Sequence, residues 1–556
     1  MKNRPLLKTK YTPTTIPFTD YPRPTMVRDS YLSLNGKWHL TSPSYTGDIL
    51  VPYPPESLLS TIGRHVGDNL TYEREFSLPD GFLKDRVILH FGAVDQISSV
   101  YLNDTLVTTH VGGYMPFCVD ITDYLKEKNL LRVEVVDELD TKVLPYGKQT
   151  KSSKGMWYTL VTGIWQSVWL ESVGCQYIKG LNVKVLNCNK VKIEVDGVDS
   201  GKITLDTPSG LLNYDFTNGQ VEIDITDPVL WSPENPYLYH YSVKSEFDEV
   251  RSYFAIRTIG IVDTGECKRI ALNGKPYFLH GILDQGYWSD GLFLPANTDA
   301  YVDEIKRLKA LGFNTIRKHV KVEPEIFYYL CDKLGIIVMQ DMVNNGKYSF
   351  FRDTLLPNIG ISHKKDTNAH KCIRTRKAFL DSLTETITTL SKHPSICYWT
   401  IFNEGWGQFC ADTAYEYLKT LDDTRIIDAT SGWFHQTKSD VLSLHSYFFK
   451  PKIVATKRAC ILSEFGGGTY KVEGHNALLK TYGYGSCKSR EEFVKRVRDT
   501  YRDIIKYKKM GLSGSVYTQV SDIEDEINGL FTYDREIEKI YPHELIDLSR
   551  ELTKED

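Results

Sequence analysis

Short runs in which hydrophobic and polar residues alternate fill the first third of the chain. The segments Arg86–Phe91, Ser99–Leu102 and Leu131–Val136 are rich in β-branched and aromatic residues, and turn residues such as Asn103-Asp104 separate them. No long segment with helical periodicity interrupts residues 30–175. This pattern predicts a β-sandwich or jelly roll, to which we assign residues 1–175.

A second alternating region follows from residue 176 to residue 262. Leu181–Val185, Val191–Val195 and Gln220–Ile225 each alternate strictly between apolar and polar side chains. Strict alternation over so short a span predicts a small immunoglobulin-like β-sandwich.

The pattern changes near residue 275, where strand-like runs begin to alternate with helical ones. The predicted helices are about Asp299–Leu311 with Thr298 as N-cap, Glu325–Leu334 ended by Gly335, and Arg376–Leu390. The predicted strands are Tyr277–Leu283, Phe313–Arg317, Ile336–Gln340, Ile396–Phe402, Arg425–Asp428, Val441–His445, Ala459–Ser463 and Ser513–Gln519. Eight strands with helices between most of them predict a (β/α)8 TIM barrel over residues 263–556, with its active site at the carboxyl ends of the strands.

Two glutamates stand at the ends of buried strands in this third region. Glu404 follows the apolar run Ser395–Phe402, and Glu464 follows Ala459–Leu462. A single Asn-Glu or Ser-Glu dipeptide is typical of a surface turn. Two carboxylates on separate barrel strands instead provide what cleavage of a glycosidic bond needs, namely a proton donor and a nucleophile or base.

Composition and charge exclude several other classes of protein. The 556 residues are 41% hydrophobic and 25% charged, as in an ordinary globular protein. A formal net charge of -4 argues against a nucleic-acid partner. No stretch approaches the roughly 18–20 apolar residues that cross a membrane, so we expect no membrane partner.

Cysteine usage and the N-terminus bear on location and cofactors. The ten cysteines lack the spacing of a zinc site, and the N-terminal residues lack the apolar core of a secretory signal. We therefore expect reduced thiols and a cytoplasmic location. We expect no cofactor and no metal, because no convincing cluster of metal ligands is visible. The sequence leaves open whether the chain forms a homo-oligomer.

Several short motifs, in order along the chain, resemble those of glycoside hydrolase family 2. They are Tyr21–Pro24, Leu34–Trp38, Gly163–Leu170, Leu230–Tyr239, Phe402–Glu404 and Ser463–Gly466. The first three resemble parts of the family's sugar-binding jelly roll, the fourth a motif of its immunoglobulin-like domain, and the last two its catalytic signatures. The resemblance covers nearly the whole chain and implies the same three domain types.

The resemblance also implies roles for individual residues. Glu404 would be the general acid/base and Glu464 the nucleophile of a retaining mechanism. Asn403 resembles the family's donor to the sugar 2-hydroxyl, and Tyr447 the tyrosine that hydrogen-bonds the nucleophile. Arg317 corresponds to an arginine that supports the nucleophile electrostatically.

Further substrate-binding candidates carry plainer alternatives. The candidates are His319, His445, Asp284, Trp433, Tyr517 and Glu526. His319 could instead be a hydrogen-bonded structural histidine, and Asp284 could form a salt bridge. Tyr517 stands where the family usually has a tryptophan, and Glu526 lies in the acidic segment Glu524–Leu530.

Departures from the family's patterns bear on the sugar. β-Glucuronidases carry an Asn-x-Lys pair that grips the sugar carboxylate, whereas Glu524–Leu530 has no lysine and would repel a uronate. Arg317–Val320 lacks the Ser-His-Tyr-Pro sequence of well-known β-galactosidases, and Val338–Met342 resembles β-mannosidases. Members with this combination are often β-galactosidase-like, which makes a terminal β-galactoside the leading substrate.

Four alternatives stay open. The enzyme could have β-glucuronidase or β-mannosidase specificity, or could be an inverting hydrolase. The chain could also be a non-catalytic carbohydrate-binding protein, although a binding protein has no need of both Glu404 and Glu464.

Overall fold

The computed structural model of the chain describes residues 7–358, 365–367, 369–447, 450–453, 457–477 and 481–554. Two antiparallel sheets pack face to face in the first region, around buried residues such as Trp38, Leu89 and Leu131. One sheet runs in the order Tyr31–Ser33, Val168–Val173, Arg86–Phe91 and Phe117–Asp120. The other runs Tyr45–Val51, Gly36–Ser42, Asn69–Phe76, Asn129–Val136, Ile97–Leu102 and Thr105–Val111. Only three-residue helical turns occur between residues 30 and 175, which confirms the predicted sandwich.

The second region is a smaller sandwich around Ile193, Ile203 and Tyr239. Its three-stranded sheet contains Gly180–Asn187, Lys190–Asp196 and Gln220–Asp224. Its four-stranded sheet runs Gly210–Phe216, Gly201–Thr207, Tyr239–Lys244 and Glu249–Phe254. The alternation of the sequence favours this sandwich, because strands such as Lys190–Asp196 and Tyr239–Lys244 bury one face between the sheets.

Eight parallel strands form the barrel of the third region. They are β1 Leu279–Asp284, β2 Thr315–Lys318, β3 Ile337–Asp341, β4 Ile396–Asn403, β5 Ile426–Ser431, β6 Val441–Ser446, β7 Ala459–Gly466 and β8 Leu512–Thr518. Their order is β5-β4-β3-β2-β1-β8-β7-β6. The seam between β5 and β6 has no ladder, but Asp440 N donates to Ile427 O over 2.9 Å across it. The predicted barrel is confirmed, and the observed strand boundaries differ from the predicted ones by at most three residues.

Six helices of ten or more residues cover the described part of the barrel. They are α1 Thr298–Ala310, α2 Glu325–Leu334, α3 Ile373–Leu390, α4 Ala411–Leu421, α5 Arg490–Lys509 and α6 Pro542–Thr553. The predicted cap of α1 was wrong by one residue, because the side chain of Asn297, not Thr298, accepts the hydrogen bond from Ala300 N. A π-helix, Phe350–Leu355, continues into Leu356–Asn358. No helix among the described residues has both the length and the apolar character needed to cross a bilayer.

Trp231 joins the immunoglobulin-like region to the base of the barrel. Its ring is fully buried, and its indole Nε1 donates to Asp332 O, in α2, over 2.8 Å. It packs in one core with Leu279 and Met339 from the barrel strands. A three-stranded sheet, Ile259–Asp263, Lys268–Leu272 and Lys275–Pro276, closes the same end. The carboxyl ends of the barrel strands therefore lie at the opposite end.

We expect Trp231→Ala to lower the free energy of unfolding by about 3–5 kcal/mol, because it leaves a large cavity and removes the donor to Asp332 O. Trp231→Phe keeps most of the packing and should cost less. Thermal and denaturant unfolding of the two variants would measure the difference. Unchanged stability of Trp231→Ala would contradict this account of the junction.

Candidate active site

Strands β4 and β7 bring Glu404 and Glu464 together at the carboxyl end of the barrel. One carboxylate oxygen of each and a ring nitrogen of His445, on β6, all lie within 4.8 Å of one another. His445 Nδ1 lies 2.8 Å from Glu404 Oε1, and its Nε2 lies 3.6 Å from Glu464 Oε1. The pair predicted from two distant sequence motifs therefore shares one site, with an imidazole between its members.

Glu464 is held by cationic and hydroxyl groups on both of its oxygens. Its Oε1 accepts a hydrogen bond from Arg317 Nη1 at 3.1 Å, and its Oε2 accepts one from the Tyr447 hydroxyl. Burial by itself would raise the pKa of Glu464, but His445, Arg317, His319 and Lys148 together lower it to about 2. Glu464 is thus a carboxylate at neutral pH and is ready to act as a nucleophile.

Arg317 connects four parts of the site and is completely buried. Its Nε donates to Asp341 Oδ1 at 3.0 Å, and Nη1 donates both to Glu464 and to Ser463 O. Its Nη2 donates to Asn403 Oδ1 at 2.9 Å. Because Oδ1 of Asn403 is occupied, its Nδ2, which has no hydrogen bond with the described residues, is available to a ligand.

Glu404 lies at the edge of the site, where β4 ends. Its side chain is 20% exposed, and its backbone has a φ of 54°, in the left-handed region that non-glycine residues seldom adopt. Its N donates to Ser431 O at 2.9 Å, and Trp433 Nε1 donates to its carbonyl oxygen at 3.1 Å. These contacts hold a strained residue in place, as is common where a side chain must be aimed.

His319 lies beside the same arginine cluster. Its Nδ1 is 2.7 Å from Asp341 Oδ2, and its Nε2 makes no hydrogen bond with the described residues. Burial lowers its pKa, so the ring is neutral near pH 7 and donates through Nδ1 to Asp341. The structural role considered for His319 is therefore present, and Nε2 remains able to accept from a sugar hydroxyl.

Two sequence candidates are engaged elsewhere. Asp284 forms a buried ion pair with Lys318 and accepts from Gly286 N, which is the salt-bridge alternative. The ring of Tyr517 lies 6.0 Å from that of Tyr501, in α5, because its place in β8 turns it away from the barrel interior. The structure thus does not bring Tyr517 to the glutamate pair.

Glu526 reaches the site, but its carboxylate is already hydrogen-bonded. Tyr158 of the first region donates to its Oε2 at 2.5 Å, and Asn528 Nδ2 donates to its Oε1 at 3.0 Å. Neighbouring Glu524 accepts from Thr159 N at 2.9 Å. The acidic segment, expected from the sequence to repel a uronate, therefore binds the barrel to the jelly roll.

Three residues that contact or surround the pair were not predicted from the sequence. Asp341 ends β3 in a run noted only for its family resemblance. Tyr484 stacks on Tyr447 with ring centres 4.0 Å apart. Lys148 belongs to a loop of the jelly roll, and its local sequence does not indicate that it lies near the barrel site.

Two groups of described residues have spacings that could suit a cation. One is the trio Glu404, His445 and Glu464, and the other is His475, Asp534 and Glu536. In the first, Arg317 and Tyr447 already bind the oxygens of Glu464.

Family comparison agrees with this architecture. Three descriptions of glycosyl hydrolases family 2 match consecutive parts of the chain: the sugar binding domain over residues 25–173, a second domain over 179–257 and the TIM barrel domain over 264–539. Together they span most of the chain, so the chain belongs to glycoside hydrolase family 2. The chain thus combines the family's three domains with a pair of carboxylates at the barrel's carboxyl end.

Individual relatives carry different names. A β-galactosidase of Thermoanaerobacter pseudethanolicus is 27% identical over 298 residues, 49% of this chain and 39% of that protein. The β-glucuronidase of Sus scrofa is 23% identical over 68% of this chain and 62% of its own length. The structure of a β-D-glucuronidase from Dictyoglomus thermophilum has a TM-score of 0.74 at 20% identity, covering 96% of this chain and 98% of that one. A likeness at that identity establishes the fold, and this chain spans only 39% and 62% of the lengths of the two curated relatives.

Replacing Arg317 should destabilise the fold in a pH-dependent way. We expect Arg317→Met to cost about 3–5 kcal/mol near pH 7, since it leaves Asp341 and Glu464 buried without their cation. The folded-state pKa of Glu464 lies below its ordinary value of 4.5, so its contribution to stability is present above pH 4.5 and is lost as the pH falls towards 2. The penalty should therefore shrink below pH 4.5.

Unfolding of wild type and variant between pH 3 and 7 measures this effect. Arg307→Met is the matched control, because Arg307 pairs with Glu538 in a partly exposed position and should cost about 1 kcal/mol or less. Equal penalties for the two variants, or a penalty that does not change with pH, would refute the role given to Arg317.

Proposed function

We propose that the chain is a retaining exo-β-glycosidase, with Glu464 as nucleophile and Glu404 as general acid/base. The observation that carries this proposal is the approach of one oxygen of each carboxyl group to within 4.8 Å of the other. Retaining enzymes place the two groups about 5–5.5 Å apart, whereas inverting enzymes need about 6.5–9.5 Å for an intervening water. The short separation favours retention.

The environments of the two glutamates support different tasks. Glu464 is buried, bound by Arg317 and Tyr447, and has a pKa of about 2, which suits a permanently ionised nucleophile. Glu404 is partly exposed and contacts only His445 through its carboxylate among the described residues. A carboxyl group at the edge of the site can exchange protons with a leaving group or with water.

In the first step, a carboxylate oxygen of Glu464 attacks the anomeric carbon of the sugar. The bond from that carbon to the glycosidic oxygen breaks, and Glu404 gives its proton to the departing oxygen. In the second step Glu404, now ionised, takes a proton from water, whose oxygen attacks the same carbon. The ester bond breaks, and Glu464 returns as a carboxylate.

The remaining site residues position these groups. Arg317 and Tyr447 orient the two oxygens of Glu464, and His445 links the pair. Asn403, whose carbonyl oxygen is fixed by Arg317, presents its Nδ2 to the sugar 2-hydroxyl. Trp433 holds the backbone of Glu404 and lies against His445, so it is a wall of the site as well as a support.

An exo mode of action is supported by the jelly-roll loop that covers one side of the site. Tyr146 N and Gly147 N both donate to Asn344 O in the loop after β3, at 3.0 and 3.2 Å. This contact covers the barrel mouth beside β3, which supports a site that receives the end of a sugar chain. The reaction centre suits any β-glycoside, so both the β-galactoside predicted from the motifs and a β-glucuronide remain candidates.

Azide tests the two roles separately. With an activated aryl β-glycoside, Glu404→Ala should lose about 10²–10⁴-fold in hydrolysis and, with added azide, form the β-glycosyl azide, because azide replaces water in the second step. Glu464→Ala should lose about 10⁴-fold or more and form the α-glycosyl azide, because azide then attacks from the vacated face. NMR of the products distinguishes the anomers.

Glu416→Gln is the matched control, since Glu416 is exposed and pairs with Lys438 on the barrel surface. It should keep wild-type activity. Reversed anomers would exchange the roles of the two glutamates, and an inverted first product from wild type would mean an inverting hydrolase. No turnover of any aryl β-glycoside by wild type would favour a carbohydrate-binding protein.

A further inference from the structure

A loop of the jelly roll places Lys148 beside the barrel site. Two hydrogen bonds hold the loop at and before Lys148. Tyr146 donates through its hydroxyl to Gly346 O at 2.8 Å, and Tyr158 N donates to Lys148 O at 3.0 Å. Gly147 has a φ of +58°, and a Cβ there would lie 2.7 Å from Val320 O. The loop therefore lies as close to the end of β2 as a backbone can, and only glycine fits.

The ammonium group of Lys148 has unused hydrogen-bonding capacity. Its Nζ lies 5.8 Å from the ring centre of Tyr158, and it forms no hydrogen bond or ion pair with the described residues. By contrast, the buried ammonium groups of Lys318 and Lys321 both bind Glu323 at 2.8 Å. An ammonium group has three donors and no acceptor, so Lys148 is suited to an anionic ligand.

Lys148 lies near the glutamate pair and near Glu526. Its positive charge lowers the pKa of Glu464 and of His319, and it opposes the rise that burial produces in the pKa of Glu526. These residues belong to β7, to the end of β2 and to the segment after β8. Its ring partner Tyr158 is itself hydrogen-bonded to Glu526. The lysine is therefore near the nucleophile and on the side of the segment after β8.

The geometry of a pyranose ring relates this position to one substituent. C2 and C5 are opposite each other across the ring. If the 2-hydroxyl contacts Asn403 at the end of β4, the C5 substituent points across the barrel towards β8, which is four strands away in the sheet. Glu526 lies on that side, and the side chain of Lys148 extends from the edge beside β2 and β3 towards Tyr158, which binds Glu526.

The acidic segment does not exclude an anionic substituent there. Glu524 and Asp525 accept hydrogen bonds from Thr159 N and Gly155 N of the jelly roll. Glu526 accepts from Tyr158 and Asn528, and burial raises its pKa. All three carboxyl groups of this segment therefore already accept hydrogen bonds, and Lys148 adds a cation beside them.

We propose that Lys148 determines specificity by binding a carboxylate at C5 of the sugar, so that the enzyme prefers β-uronides to β-galactosides. This inference rests on the proposed β-glycosidase function. A lysine from another domain would take the place of the family's Asn-x-Lys pair, which the segment Glu524–Leu530 lacks.

Kinetics with nitrophenyl β-glucuronide, β-galacturonide and β-galactoside test the proposal. Wild type should hydrolyse at least one uronide with a higher kcat/KM than the galactoside. Lys148→Met should lower kcat/KM for that uronide by about 10- to 100-fold, the value of a charge-assisted hydrogen bond, and change that for the galactoside by less than about threefold. Lys151→Met is the matched control, because Lys151 lies in the same loop but pairs with Asp68 and Asp140.

Two kinetic outcomes would overturn the proposal. Wild type could cleave the galactoside in preference to both uronides. Alternatively, Lys148→Met could lower kcat/KM equally for all three substrates, which would mean that the lysine acts through Glu464. Matching thermal unfolding of the two variants checks that both are folded.

Binding separates failure of this proposal from failure of the proposed reaction. If wild type cleaves none of the glycosides, the β-glycosidase function fails, but calorimetric titration with glucuronate, galacturonate and galactose still tests Lys148. Tighter binding of a uronate than of galactose, lost in Lys148→Met and kept in Lys151→Met, supports the lysine as a carboxylate site. Equal binding by wild type and Lys148→Met overturns it.

Discussion

The buried guanidinium of Arg317 is the interaction on which the site depends. It compensates the charges of Asp341 and Glu464 and fixes the amide of Asn403, and its own side chain is fully buried. Arginine suits this position because its planar fork presents several donors in fixed directions and stays charged at any relevant pH. Without this cation, desolvation would favour the protonated form of Glu464, and a neutral carboxyl group is a poor nucleophile.

The barrel and the jelly roll provide different groups, one set for the proposed reaction and the other for recognition of the sugar. The barrel strands supply the glutamate pair, the arginine and the histidines on rigid elements, as precise catalysis requires. The jelly roll supplies the loop around Lys148 and the residues that dock the segment after β8. In the proposed account the barrel thus determines which bond is broken, and the contact between two domains determines which sugar is held.

Local sequence signals predicted the parts of this arrangement that depend on local structure. Apolar runs ending at Phe402 and Leu462 indicated buried strands, and residues at the ends of parallel strands meet at one edge of a sheet. Gly335 ends α2 as predicted, since its φ of 72° favours glycine. The cap of α1 was misplaced because Asn297 and Thr298 are both good caps, and the sequence does not distinguish them.

The remaining features depend on long-range contacts, which the sequence does not display. Lys148 reaches the site only because Gly147 lets the loop approach Val320 O. Glu526 was interpreted as a free charge, although Tyr158, from another domain, binds it. The direction of Tyr517 depends on the register of β8, and a shift of one residue in a strand moves a side chain to the other face.

The central claim is that Glu464 forms a covalent bond with the sugar. The most direct measurement is mass spectrometry of the enzyme after incubation with a 2-deoxy-2-fluoro β-glycoside, either galactoside or uronide, that has a good leaving group. We expect one sugar attached to the peptide that contains Glu464, and no attached sugar in the Glu464→Gln variant. Attachment at Glu404 or at another residue, or turnover without any covalent species, would contradict it.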